Sequence, residues 1–100
     1  MFLTACSEGQ FKLAELLIKH SAKIKMDFNA SNFCGNTAFH EACHFGHKDI
    51  VCLILDNSVS CKIKLETKNS SGKTGYQIAL MGKTTKHKEI VAMITSQLNL

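Results

Sequence analysis

The sequence predicts an all-α fold: a solenoid of stacked helix-turn-helix units joined by extended finger loops. Three observations lead to it, namely an internal repeat, apolar residues at helical spacing inside each copy, and turns rich in Gly and Asn between copies. A shift of 37 positions carries Gly35-Asn36-Thr37 onto Gly72-Lys73-Thr74, Asn32 onto Asn69, Phe39 onto Tyr76 and Ala42 onto Ala79. The same shift carries Ala5-Cys6 onto Ala42-Cys43, Gly9 onto Gly46, Leu13 onto Ile50, Leu16-Leu17 onto Leu53-Ile54 and Ala22 onto Val59. Self-similarity at such a period is the signature of a stacked array. One domain, 1–100, is expected, with a partial first copy at about 1–31, a second at about 32–68 and a third at about 69–100.

Each element follows from the residues in turn. Phe39, Ala42 and Cys43 are spaced i, i+3, i+4, which places them on one face of a first helix, and small Ala42 permits close approach of a neighbour. Ile50, Val51, Leu53 and Ile54 repeat the pattern as a second helix. The break at Phe45-Gly46-His47-Lys48 separates them, with Gly46 supplying the left-handed position that ends a helix, as Gly9 does in the first copy. Beyond the second helix, Ile24, Met26 and Phe28, and then Cys61, Ile63 and Leu65, alternate with mostly polar residues, which predicts an extended finger. Asn32-Phe33-Cys34-Gly35 and Asn69-Ser70-Ser71-Gly72 close the fingers as turns.

The stretch Gly35-Asn36-Thr37-Ala38-Phe39-His40-Glu41-Ala42-Cys43-His44-Phe45-Gly46-His47 resembles the G-x-T-P-L-H-x-A-A-x-x-G-H stretch of the ankyrin repeat, and the resemblance extends over nearly the whole chain. It implies an ankyrin-repeat solenoid. That family's period is about 33 residues, so each copy here carries roughly four more, assigned to 23–26 in the first and 60–63 in the second, where both lengthen the finger. The family's helix-starting proline is absent, its place taken by Ala38 and Gly75, so those helix starts lose a preset backbone angle. The third copy departs furthest. Gln77 stands for the motif His, Leu80 for the second small residue, and Gly82-Lys83-Thr84-Thr85-Lys86 replaces the inter-helix turn, with three residues more before Ile90 than the second copy has before Ile50. Its second helix, 89–94, still matches, and an atypical last repeat is what a capping unit requires. The chain opens without the turn that precedes a first helix, consistent with a stretch of a longer array.

Composition narrows the functional classes. Apolar residues make up 45% of the 100-residue chain, enough for one modest core. No apolar run is long enough to cross a membrane, and acidic Glu8 follows the opening apolar residues too soon for a secretory segment, so an intracellular location, cytoplasmic or nuclear, is expected. Five cysteines, an odd number without dense spacing, predict reduced thiols. The Asn29-Ala30-Ser31 and Asn69-Ser70-Ser71 glycosylation patterns are discounted on the same grounds. The net charge of +4 rests on scattered lysines with no arginine, and arginine is the residue suited to bidentate phosphate and base contacts. Nucleic acid is therefore disfavoured, although Lys83, Lys86, Lys88 and His87 form a local basic run.

Three patterns suggest chemistry, and the repeat accounts for each. His40-Glu41-Ala42-Cys43-His44 spells H-E-x-x-H, two ligands and a base of a zinc-dependent hydrolase, but His40 is already the motif histidine, which bonds to nearby turn groups, and a third ligand and a cleft are wanting. Cys34, His40, Cys43, His44 and His47 lack zinc-finger spacing. Thr67-Lys68-Asn69-Ser70-Ser71-Gly72-Lys73-Thr74 ends like a phosphate-binding loop without its first glycine, and reads better as turn and helix start. The chain is thus expected to be a non-enzymatic scaffold for another protein, with no cofactor and no small-molecule substrate. By the resemblance, the binding surface comprises Ser7 and Glu8 from the first copy, Phe33, Cys34, Asn36, Glu41, His44 and Phe45 from the second, and Ser71, Lys73, Ile78 and Met81 from the third. Phe33 and Phe45 are the expected anchors, because large aromatic area turned to solvent is what a binding hot spot needs.

Overall fold

The computed structural model describes residues 2–21, 23 and 27–98. Six helices occupy the described residues: α1 Phe2–Ser7, α2 Phe11–Lys19, α3 Ala38–Phe45, α4 Lys48–Asn57, α5 Gly75–Met81 and α6 Thr85–Leu98. They pair as α1/α2, α3/α4 and α5/α6. The first helices α1, α3 and α5 lie side by side in one layer, and α2, α4 and α6 stack behind them in a second, giving an elongated body of 37 × 26 × 24 Å. No strand occurs among the described residues. This is the expected all-α stack.

The repeat recurs in the core. Ala5, Ala42 and Ala79 are all buried at the centre of successive first helices, where a larger side chain would hold neighbouring helices apart. Phe2 and Phe39 fill the same position one helix apart, and Ile50, Ile54, Ile90 and Ile94 fill the layer between α4 and α6. Burial of apolar area at about 25 cal/mol per Å² is the main force holding such units together.

Caps and turns fix where each helix ends. Gly46 has φ 72°, its N–H bonds to the Cys43 carbonyl and the His47 N–H to the Ala42 carbonyl, a pairing that occupies two otherwise unpaired carbonyls. Helix starts dispense with proline by another device. Thr74 N–H donates to Gln77 Oε1 (2.9 Å) while Gln77 N–H donates to Thr74 Oγ1 (3.3 Å), so each residue caps the other. A side chain at position 75 would not fit in any case. A β-carbon built on Gly75 lies 2.5 Å from Phe39 Cδ2 and 2.6 Å from Cε2, so α5 approaches α3 through a glycine.

The extra residues of the second copy do not lengthen an extended finger. Residues 58–62 form a turn that prolongs α4 helically. Cys61 N–H reaches the Asn57 carbonyl, Lys62 N–H the Val59 carbonyl and Ile63 N–H the Ser58 carbonyl, with Lys62 left-handed at φ 55°. The alternation of Cys61 and Ile63 therefore reflects a helical end that buries Ile63, not a strand. In the first copy the corresponding Ala22, Ile24 and Met26 lie outside the described residues. The two fingers are joined by Asn29, whose amide donates to the Lys62 carbonyl (3.0 Å) and accepts from Lys64 N–H (2.7 Å).

Candidate functional site

The turns along one edge of the stack are locked by asparagines. Asn32 Oδ1 accepts the N–H groups of Cys34 and Asn36, and Asn69 Oδ1 accepts those of Ser71 and Lys73. One turn holds the next: Asn69 Nδ2 donates to Asn36 Oδ1 (2.8 Å) and Ser70 N–H to the Cys34 carbonyl (3.0 Å). Such side-chain substitutes for backbone turns are why Asn recurs here. The result is a row of rigid tips beside α3 and α5.

Between these tips and the two helices runs a groove of about 470 Å³, lined by Asn36, His44, Asn69, Ser71, Lys73, Ile78, Met81, Gly82 and His87. Six of the expected binding residues, Asn36, His44, Ser71, Lys73, Ile78 and Met81, meet in it. Phe33 is fully exposed on its turn tip, with Cys34 beside it also exposed. Phe45 is half exposed, its ring 4.8 Å edge-on from His44 and stacked 6.0 Å from His47. Ser7 is half-buried, and Glu8 borders a separate hollow with Gly9, Gly46, His47, Lys48, Asp49 and Lys86. Glu41 differs from the expectation of an outward-facing residue. It is 8% exposed, and its carboxylate takes the Asn32 amide (2.6 Å) and the Asn36 amide (3.5 Å), so it secures the turn from inside.

Histidines join the units. Thr37 N–H donates to His40 Nδ1 (3.1 Å), which leaves the ring proton on Nε2, and Nε2 donates to the Lys73 carbonyl (2.9 Å) of the next copy. His47 Nε2 donates to the Ser7 carbonyl (3.0 Å) of the preceding copy. His87 does the same one unit later, reaching the His44 carbonyl (2.9 Å) while Thr84 Oγ1 lies 2.6 Å from its Nδ1. The basic run at 83–88 thus contains a structural histidine. Its equivalence to His47 is visible once the helix is aligned backward from Ile90, since a shift of 40 carries Ile50 to Ile90, Ile54 to Ile94 and His47 to His87. Asn69, Gly82 and His87 are the groove residues that sequence reasoning missed.

The other chemical patterns resolve geometrically. Both ring nitrogens of His40 are engaged within the fold and Glu41 is turned to Asn32, so H-E-x-x-H does not assemble two free ligands and a base. Gly72 lies in the turn and Thr74 caps α5, as turn and helix start require. Among the described residues no three His, Cys, Asp or Glu side chains are grouped to hold a metal ion, and no helix is long and apolar enough to cross a membrane. Burial pushes the Cys6 thiol up to about 12 and raises that of Cys43 as well, which keeps both protonated and unreactive.

Stacked helical hairpins with a groove beneath a row of pinned turns define a repeat scaffold. Residues 2–55 match the family model for ankyrin repeats (many copies), and the chain belongs to the ankyrin repeat family. It is 35% identical over 51 residues to the E3 ubiquitin-protein ligase XBAT33 of Arabidopsis thaliana, a match covering 51% of this chain and 9% of that protein. The crystal structure of the ankyrin repeat protein EF0377 superposes with a TM-score of 0.82 at 24% identity, over 96% of this chain and 46% of that one. A chain from the complex of the predatory endopeptidase Bd0816 of Bdellovibrio bacteriovorus with immunity protein Bd3460 gives 0.73 at 26%, over 96% and 45%. The chain therefore spans under half the length of these relatives. The ankyrin repeat fold is commonly a protein-interaction module and is typically non-enzymatic.

Proposed function

We propose that this chain is a non-catalytic protein-binding scaffold that holds its partner along the groove between the turn tips and helices α3 and α5, with Phe33 and Phe45 gripping the rim. The groove carries the reading: it gathers exposed Met81 with half-buried Ile78 and Lys73 beside tips already locked by Asn32 and Asn69. A surface ordered before binding loses little entropy on association. The similarity to a chain found in an endopeptidase–immunity protein complex supports protein recognition by this architecture. Ligase chemistry is not carried over from a relative of which the chain covers 9%. Five free cysteines, two of them buried, suit a reducing intracellular compartment.

Affinity capture with the wild-type chain and a Phe33→Ala/Phe45→Ala double variant tests this. Since Phe33 is 108% and Phe45 51% exposed, the double variant is expected to keep its thermal midpoint within a few degrees while losing its specific partners at least about tenfold. A collapse of stability assigns the rings to the core; an unchanged set of captured proteins removes the rim from the interface.

A further inference from the structure

We propose that the segment the groove receives is an acidic peptide of the partner, in which an Asp or Glu lies within a few residues of an aliphatic or aromatic side chain. This rests on the binding reading above and adds the chemistry of the ligand.

The polar groups of the groove are unevenly engaged. Its asparagine oxygens and two of its backbone carbonyls are engaged within the fold. Asn36 Oδ1 takes the Asn69 amide, Asn69 Oδ1 takes two backbone N–H groups, and the Lys73 and His44 carbonyls take the Nε2 protons of His40 and His87. Glu41, in the first turn of α3, is turned inward onto Asn32 and Asn36. Two of the groove's donors, by contrast, are free. Among the described residues the sole ion pair joins Lys48 to Glu89, so the Lys73 ammonium has no carboxylate within 4 Å, and the Ser71 hydroxyl has no hydrogen-bond partner. Beside them lie Ile78 and Met81, the latter 62% exposed.

An unpaired ammonium, a free hydroxyl, no carboxylate in the lining and an adjoining apolar floor select for a ligand that brings an anion and a greasy side chain together. A basic peptide meets only an uncompensated ammonium, which disfavours it. Lys83 just before α6, and Lys86 and Lys88 in its first turn, add positive charge around His87 and would speed encounter with an acidic segment. Exposed Met supplies a soft surface that accommodates more than one apolar shape.

Panning random twelve-residue displayed peptides on the whole chain at low salt tests the inference. The expected result is enrichment of Asp or Glu near Leu, Ile, Met or Phe. A synthetic copy of the leading peptide, followed by fluorescence anisotropy, is expected to bind about tenfold or more weakly to Lys73→Glu and to Met81→Asp, several-fold more weakly to Lys73→Gln, and unchanged to Lys12→Glu on the distant surface of α2. Changing the peptide's acidic residue to Lys is expected to restore binding to Lys73→Glu. Peptides without acidic enrichment that still depend on Met81 overturn the inference while leaving the groove reading intact. Binding indifferent to both Lys73 and Met81 overturns both. A panning that enriches nothing overturns peptide recognition and leaves the groove reading to the capture experiment.

Discussion

Cys6 and Cys43 occupy equivalent positions in α1 and α3, and neither thiol reaches solvent. Burial disfavours the thiolate, so Cys6 rises from an ordinary 9.0 to about 12 and Cys43 rises too. In the unfolded chain both ionise near 9. The folded state therefore binds more protons than the unfolded one above that pH, and stability present below about pH 9 is lost progressively as pH climbs toward the folded value. Urea unfolding between pH 8 and 10.5 checks this: the wild type is expected to lose stability more steeply than a Cys6→Ala/Cys43→Ala variant, and parallel curves would refute it. Lysine titration is common to both chains and drops out of the comparison. These buried positions were legible in the sequence because Ala-Cys recurs at the repeat spacing. Glu41 was not. Its place in the motif marks it as a surface residue of the first helix, and only the meeting of Asn32 and Asn36, several residues upstream, reveals an inward carboxylate.

Helix ends, more than helix interiors, separate what the sequence discloses from what it conceals. Gly9 and Gly46 stand at φ 72° where glycine is the natural choice, and both are readable as stops. Lys62 fills the same role after α4 with a side chain at φ 55°, a conformation that any L-residue other than glycine adopts at a cost. No glycine signals the stop, so the alternation of Cys61, Ile63 and Leu65 reads as a strand although its first half is a helical turn. Lys62→Gly is expected to relieve the strain and stabilise the fold by about 1 kcal/mol, offset in part by the added freedom of glycine in the unfolded chain. The Asn29 contact survives because it uses the Lys62 carbonyl. Chemical denaturation measures the change, and a loss of stability of similar size would mean that the Lys62 side chain contributes more than its backbone angle removes. The third inter-helix turn was concealed differently. Three added residues displace His87 from the register in which His47 is found, and a forward alignment from Ala79 assigns it to a basic run.

A stack of this kind has stability that is approximately the sum of its units and their joints, and its joints here are unequal. Helix α3, held from both sides, buries six of its residues, whereas α5 buries Gly75 and Ala79 and leaves Leu80 and Met81 more than half exposed. The third unit is held to the second by the Ile90 and Ile94 layer, by the exposed Lys48–Glu89 pair, worth at most about 1 kcal/mol, and by His87 on the His44 carbonyl. Removing the His87 ring leaves that carbonyl and the Thr84 hydroxyl without their ring partners, a loss of about 1–2 kcal/mol. If units open separately, the loss falls on one end. Native-state hydrogen exchange of His87→Ala is then expected to show faster exchange in α5 and α6 with α1 to α4 close to wild type, while His47→Ala, which frees the Ser7 carbonyl, speeds exchange in α1 and α2. Uniform acceleration along the whole chain in both variants would instead mean that the joints are strong enough, relative to each hairpin, for the stack to open as one cooperative unit. The groove lies on the second joint, with Asn36 and His44 on one side of it and Ser71, Lys73, Ile78 and Met81 on the other. A third unit that opens by itself would therefore disassemble the binding surface before the fold is lost, and a bound partner, holding both sides, is expected to suppress that exchange most strongly in α5 and α6.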